Sequence, residues 1–159
     1  MLFRSAATLR SYGLDPLSIA RGDLRRINAQ RHLFPSAHAG WLSRLPIALR
    51  LEVMGEQWWL IHAGIPSTVP LKGLQPHQIV PHLVATEPEA LLWAKNDPEE
   101  MLPVDLPVIM GHVPLPAPLQ RLWGPPGARR GVVAIDTGCG RGGSLSALLL
   151  PEVRMISVG

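Results

Sequence analysis

Prolines and glycines interrupt this sequence along its whole length, with 17 prolines and 15 glycines among 159 residues. Proline ends or kinks helices and is poorly tolerated in central strands, while glycine favours tight turns. We therefore expect short helices and strands joined by shaped loops rather than a helical bundle. Because 47% of the residues are hydrophobic and only 17% are charged, we expect these elements to enclose the core of one domain.

Charge and cysteine content narrow the possible partners and sites. The net charge of +3 is small, and no aromatic ladder accompanies the basic residues, so no nucleic-acid partner is expected. No apolar run reaches the roughly 18 residues that cross a bilayer, which predicts a cytoplasmic protein without a membrane partner. The single Cys139 excludes an intrachain disulfide and a cysteine cluster for zinc. Any metal would therefore be bound by His, Asp, Glu or Asn.

Periodicity and turn residues predict the order of the elements. Two or three short helices are expected before Pro46. The remaining predictions are a hairpin of strands 51–53 and 58–61 joined by Gly55-Glu56, a loop over 66–81, a helix over 87–95 with Thr86 as N-cap, a strand over 108–110, a loop over 114–131, and strands over 132–135, 145–150 and 153–158.

Two histidines directly follow predicted buried strands. His62 lies in Ile61-His62-Ala63-Gly64, and His112 lies in Met110-Gly111-His112. Strand ends in layered sheets open onto a common crevice, and a neighbouring glycine lets an ion or oxyanion approach closely. One such histidine alone is more often a satisfied core residue, but two in the same context favour a metal or catalytic site.

Three ordered motifs carry a family resemblance: WLIHAGIP (59–66), VIMGHVP (108–114) and AIDTGCGRGGSLSALLL (134–150). Together they resemble the C-terminal motifs of the PPP branch of calcineurin-like metallophosphatases, which includes Ser/Thr protein phosphatases and symmetrical diadenosine-tetraphosphate hydrolases. The resemblance extends upstream through ATLRSYG and WLSRLP. It implies an α+β fold, an α/β-β/α sandwich of two mixed sheets with short helices outside. It also implies a phosphoprotein or a dinucleotide polyphosphate as substrate.

The resemblance also implies roles for single residues. His62 and His112 match two ligands of the same divalent cation, for which Mn²⁺ is expected, with Fe, Zn or Ni as alternatives. Lys95 falls where bacterial relatives usually carry an arginine that contacts the substrate phosphate, and lysine keeps the charge but lacks the bidentate fork. Asp136 matches a strand-and-turn motif and is interpreted as a hydrogen-bonding organiser. Trp93, close to Lys95, is a candidate wall of the site.

The family's N-terminal motifs do not occur in this sequence. Gly-Asp-x-His-Gly, Gly-Asp-x-x-Asp-Arg-Gly and Gly-Asn-His-Glu/Asp supply the second cation's ligands, the bridging aspartate and the general acid in that family. We therefore expect residues 1–159 to be a single partial domain, a truncated form with one weak half-site and negligible hydrolysis on its own. Open sheet edges would favour self-association or pairing with a missing N-terminal half.

Two other interpretations stay open. In the first, the chain is a non-catalytic interaction module or inactive remnant that pairs through its exposed sheet edges. Alternatively, His62 and His112 bind a single ion together with one carboxylate, either Asp136 or Asp97.

Overall fold

A computed structural model describes residues 6–66, 71–95 and 102–159. The chain divides into two compact units, residues 1–45 and residues 46–159. Among the helices of the described residues, none combines the length and apolar character that spanning a bilayer requires. The assignment of the whole chain to one partial phosphoesterase domain stays a prediction.

The N-terminal unit consists of short helices. They are α1 (Ala6–Ser11), α2 (Pro16–Ala20), α3 (Leu24–Gln30), a 3₁₀ turn (Arg31–Leu33) and α4 (Ser36–Leu42). The prediction of two or three helices was therefore too low. The helical spacing of apolar residues runs through Phe34 and Pro35, but both residues adopt extended backbone angles and separate α4 from the preceding turn.

Aspartates cap two of these helices. The Asp15 carboxylate accepts hydrogen bonds from the Leu17 amide at 3.0 Å and from the Ser18 hydroxyl at 2.6 Å, and Asp23 caps α3 by accepting from the Arg26 amide at 3.1 Å. The Ser18 hydroxyl, followed by the Leu17 amide, lowers the pKa of Asp15 from its ordinary 3.8. Because folding lowers this pKa, the cap stabilises α2 fully above the ordinary carboxyl pKa, and this contribution is lost as the pH falls through the lowered pKa of the folded protein.

The second unit is mixed α+β. Its elements are β1 (Ala48–Val53), β2 (Glu56–Ile61), α5 (Pro76–Thr86), α6 (Pro88–Trp93), β3 (Val108–Met110), β4 (Leu119–Trp123), β5 (Arg130–Ala134), β6 (Leu145–Leu149) and β7 (Arg154–Val158). The first five strands form a sheet in the order β1-β2-β3-β5-β4, while β6 and β7 pair antiparallel in a second sheet. Within the larger sheet β2, β3 and β5 are parallel and the edge strands β1 and β4 are antiparallel. The α+β class with a mixed sheet and short helices is confirmed.

Apolar clusters lie on both faces of the five-stranded sheet. On one face Trp59, Val108 and Val132 pack with buried side chains of α5 and α6. On the other face Trp58, Ile109, Val133 and Val153 pack with Leu148 and Met155 of the second sheet. Alternate residues of each central strand thus enter opposite clusters, which is why these strands read as continuous apolar runs.

The hairpin prediction is confirmed, with a shift of its turn. The left-handed residues are Met54 (φ 52°) and Gly55 (φ 80°), while Glu56 already belongs to β2. Two successive positive φ values are the requirement of a tight I′-type hairpin turn.

Three other local predictions were wrong. The predicted loop over 66–81 ends in α5, which begins at Pro76, while residues 67–70 lie outside the described part. The predicted loop over 114–131 contains β4, which pairs with β5. The N-cap of α6 is Glu87 rather than Thr86, whose hydroxyl instead donates to the carbonyl of His82 within α5.

Candidate metal site

Three neighbouring parallel strands end at the same edge of the larger sheet. β2 ends before His62, β3 ends before Gly111-His112, and β5 ends before Ile135-Asp136. The Gly111 amide donates to the His62 carbonyl at 2.9 Å, and the Ile135 amide donates to the Met110 carbonyl at 2.9 Å, so the ladder continues past the strands. Because β3 lies between β2 and β5, His112 is placed centrally among the three polar residues.

The two histidine side chains face each other. Nε2 of His62 lies 3.2 Å from Nδ1 of His112, and the ring centres are 5.0 Å apart at an interplanar angle of 64°. Two nitrogens bound to one cation at about 2.0–2.1 Å would be about 2.9 Å apart at a right angle and about 3.4 Å apart at a tetrahedral angle. The observed separation falls between these values. It also suits a hydrogen bond between the rings when one nitrogen carries the proton.

His112 adopts a backbone conformation that most side chains avoid. Its φ is +72°, in the left-handed region, immediately after β3. Such a conformation costs about 1–2 kcal/mol for a residue with a Cβ, and strained residues of this kind concentrate at functional sites. The preceding Gly111 is not itself in the left-handed region, and a Cβ there would make only ordinary contacts, 3.4 Å from the Cβ of Asp136 and 3.7 Å from the His62 carbonyl oxygen.

This strain predicts different stabilities for two truncations of His112. Both His112→Ala and His112→Gly remove the imidazole, but only glycine also relieves the left-handed strain. We expect His112→Gly to be the more stable of the two by about 1 kcal/mol. Urea unfolding of the two variants measures the difference. Equal stability, or a more stable alanine variant, would mean that the turn is not strained in solution.

Asp136 organises the turn that follows β5. Its carboxylate accepts a hydrogen bond from the Gly138 amide at 2.9 Å, and its carbonyl accepts from the Leu115 amide at 2.9 Å. The nearby Thr137 hydroxyl, which sequence reasoning missed, donates to the Ser144 carbonyl at 2.6 Å. The only sequence signal for Thr137 was its position between Asp136 and Gly138. Its burial is known from the structure.

Within the described residues, no group of three or more His, Cys, Asp or Glu side chains is placed to hold a metal ion. His62 and His112 therefore face each other, but no third candidate ligand joins them in the described part of the chain. Asp136 remains the residue on the neighbouring strand end, and Asp97 lies outside the described residues.

Helix α6 brings Trp93 to the histidine pair. The Trp93 and His112 ring centres are 5.5 Å apart with nearly perpendicular planes (87°). The helix is tied to the turn after His62, because the Ala63 amide donates to the Leu91 carbonyl at 3.0 Å. Lys95 follows the helix and is exposed to solvent. The structure therefore places Trp93, but no described contact joins Lys95 to the two histidines.

The structure thus brings together two of the predicted site residues, places Asp136 on the adjacent strand end, and adds Trp93. The roles of His62 and His112 as metal ligands, of Lys95 as a phosphate contact and of Asp136 as an organiser of catalysis stay predictions. No family model matches this sequence, and no curated protein or solved structure matches it either.

Proposed function

We propose that this chain carries part of the active site of a metal-dependent phosphoesterase, in which His62 and His112 bind one divalent cation. The observation that supports the proposal most directly is the separation of 3.2 Å between Nε2 of His62 and Nδ1 of His112. Their origin on the ends of adjacent parallel strands supports it further, since ligands of open α/β sheets bind at that edge.

Two imidazoles suit a divalent transition metal such as zinc, iron or nickel, whereas Mn²⁺ usually takes oxygen ligands. Mn²⁺ remains the ion we propose, because the family resemblance implies it. A bound cation of this kind polarises a phosphate ester and lowers the pKa of bound water. The ends of the two strands position the imidazoles, while the Lys95 ammonium offers a positive charge two residues beyond Trp93.

The same donor set argues for weak binding and slow turnover by this chain alone. Two imidazoles supply no negative charge to offset a dication, and efficient hydrolysis in the two-metal mechanism requires a second ion. We therefore propose hydrolysis below detection for this chain with p-nitrophenyl phosphate and Mn²⁺. As substrate of the complete site we propose a phosphoprotein or a dinucleotide polyphosphate.

The two sheets support the finer assignment of a metallophosphatase-type sandwich. The five-stranded sheet and the β6-β7 pair face each other across Trp58, Ile109, Val133 and Val153. Helices α5 and α6 cover the opposite face of the larger sheet. The helix layer, the five-stranded sheet and the β6-β7 sheet are three of the four layers of such an α/β-β/α sandwich.

Binding of inorganic phosphate, the product of the proposed reaction, tests the function without requiring turnover. We expect phosphate to bind at least about 10-fold more tightly to the protein with Mn²⁺ than without it, because the cation supplies the charge that the two imidazoles lack. Equilibrium dialysis with labelled phosphate measures this difference, and His62→Ala should abolish it. If Mn²⁺ binds through the histidines but phosphate affinity does not change, the phosphoesterase proposal is wrong.

A second candidate is a non-catalytic interaction module, which one surface favours. The outer face of the β6-β7 sheet exposes Leu145 (58%), Ile156 (39%) and Val158 (62%), and these strands pair only with each other among the described strands. Exposed apolar side chains next to open strand edges favour pairing with another chain.

This candidate predicts self-association through the β6-β7 sheet. We expect a mass increase with protein concentration in size-exclusion chromatography with light scattering, and its loss in the double variant Leu145→Lys/Val158→Lys. Met54→Lys is the matched control, because Met54 is 88% exposed in the β1-β2 turn. A monomer at every concentration, or equal effects of the control, would remove the support for this candidate.

A further inference from the structure

Trp93 is an exposed aromatic side chain at the histidine pair. Its exposed fraction is 60%, although a tryptophan usually buries most of its surface. One part of the indole contacts the His112 ring nearly at right angles, with 5.5 Å between ring centres. A large apolar surface is thus left open to solvent directly beside the two imidazoles.

The position of Trp93 is fixed by the backbone around it. Leu91 and Ala94 of the same segment are buried, and the Ala94 amide donates to the Ala90 carbonyl at 2.9 Å at the end of α6. The Leu91 carbonyl accepts from the amide of Ala63, the residue after His62. The indole is therefore held in register with the histidine turn, and its exposure is not that of a free chain end.

An indole held in this way suits a planar ring. Aromatic faces stack on nucleobases and aryl rings, and the gain does not depend on a particular hydrogen-bonding pattern. The spacing of 5.5 Å between the Trp93 and His112 rings lets one small ligand contact both. Lys95, exposed two residues later, adds positive charge on the same segment.

We propose that Trp93 is a specificity-determining residue that stacks against a planar ring carried by the phosphoester, so that the site prefers aryl or nucleoside phosphates to alkyl phosphates. This inference rests on the proposed function, because it places the phosphate at the His62 and His112 end of the ligand. In this inference, the Trp93 indole recognises the organic group that carries the phosphate.

Ligand pairs that differ only in the planar ring test the proposal. Isothermal titration calorimetry of the full chain with Mn²⁺ compares phenyl phosphate with methyl phosphate, and adenosine 5′-monophosphate with ribose 5-phosphate. We expect the ring-bearing member of at least one pair to bind about 5-fold or more tightly, as stacking on an aromatic side chain provides. The pair that shows the preference distinguishes an aryl ester from a nucleoside.

Two variants separate stacking from simple support of His112. Trp93→Ala should bring the affinity ratio of the preferred pair to about one, and Trp93→Phe should retain part of it. Trp123→Ala is the matched control, because Trp123 is 45% exposed and pairs with Arg130 at the opposite end of β5. A ratio near one in the unsubstituted protein, or an unchanged ratio in Trp93→Ala, overturns the inference. If Mn²⁺ does not strengthen phosphate binding by the unsubstituted protein, that result would instead count against the proposed function.

Discussion

Mn²⁺ affinity is expected to fall about 100-fold or more when either His62 or His112 is replaced by alanine. Nε2 of His62 and Nδ1 of His112, 3.2 Å apart, would bind the same ion, so the second imidazole acts at a high effective concentration once the first is bound. A single remaining imidazole loses that advantage. The free Mn²⁺ signal in electron paramagnetic resonance measures the affinity directly, without any need for catalysis.

The two single variants and the double variant should behave nearly alike, because either substitution destroys the shared site. His77→Ala is the matched control, since His77 is exposed in the first turn of α5. The proposal would be contradicted by equal Mn²⁺ affinity of the unsubstituted protein and the double variant. Asp136→Asn tests the single-ion alternative: if Asp136 only accepts from the Gly138 amide through Oδ1, Mn²⁺ affinity should change little, whereas a large loss would favour Asp136 as a ligand.

The central strands were predictable because burial on both faces leaves a clear pattern. Trp58-Trp59-Leu60-Ile61 and Val108-Ile109-Met110 are continuous apolar runs, and the structure sends alternate residues into the two clusters on either side of the sheet. The same pattern marked the residues after those runs. His62 and His112 were recognisable for this reason, since both follow a strand that is apolar on both faces.

The edge strand β4 lacks such a signal. The half-buried positions of β4, Leu119 and Leu122, are separated by two exposed residues, so the strand lacks a regular two-residue alternation. Prolines precede it and a glycine follows it, which resembles a loop. Its strand conformation depends on pairing with β5, a contact that the local sequence does not encode. Helix α5 was obscured similarly by Pro76 and Pro81, yet it forms because its buried residues pack against the sheet.

The candidate site was only partly predictable. Neighbouring positions for His62 and His112 require β2 and β3 to be adjacent and parallel, and strand order is a property of the whole fold. The left-handed φ of His112 could not be predicted from the local sequence, because a turn prediction would assign the positive φ to the preceding Gly111. The edge contact of Trp93 depends on the docking of α6 against the turn after His62.

Gly143 is expected to tolerate no side chain, because the turn between β5 and β6 closes tightly around it. Its amide donates to the Gly138 carbonyl at 3.0 Å, and Gly138 bridges to Ser144 across the turn. A Cβ at Gly143 would overlap the carbonyl oxygen of Thr137 and lie 3.1 Å from the Gly138 carbonyl oxygen. Those are backbone atoms that cannot rotate away.

Gly143→Ala should therefore destabilise the protein by about 3 kcal/mol, the upper range of overpacking, and lower the Tm by about 6 °C or more. Gly140→Ala is the matched control three residues earlier in the same turn, since a Cβ there meets nothing within 4 Å. Its Tm should stay within about 1 °C of the unsubstituted protein, as is usual for surface substitutions away from special backbone. Calorimetric unfolding of both variants compares them directly. Equal Tm values would show that the turn opens freely, and the Asp136-Gly138 hydrogen bond could then not hold this side of the site in place.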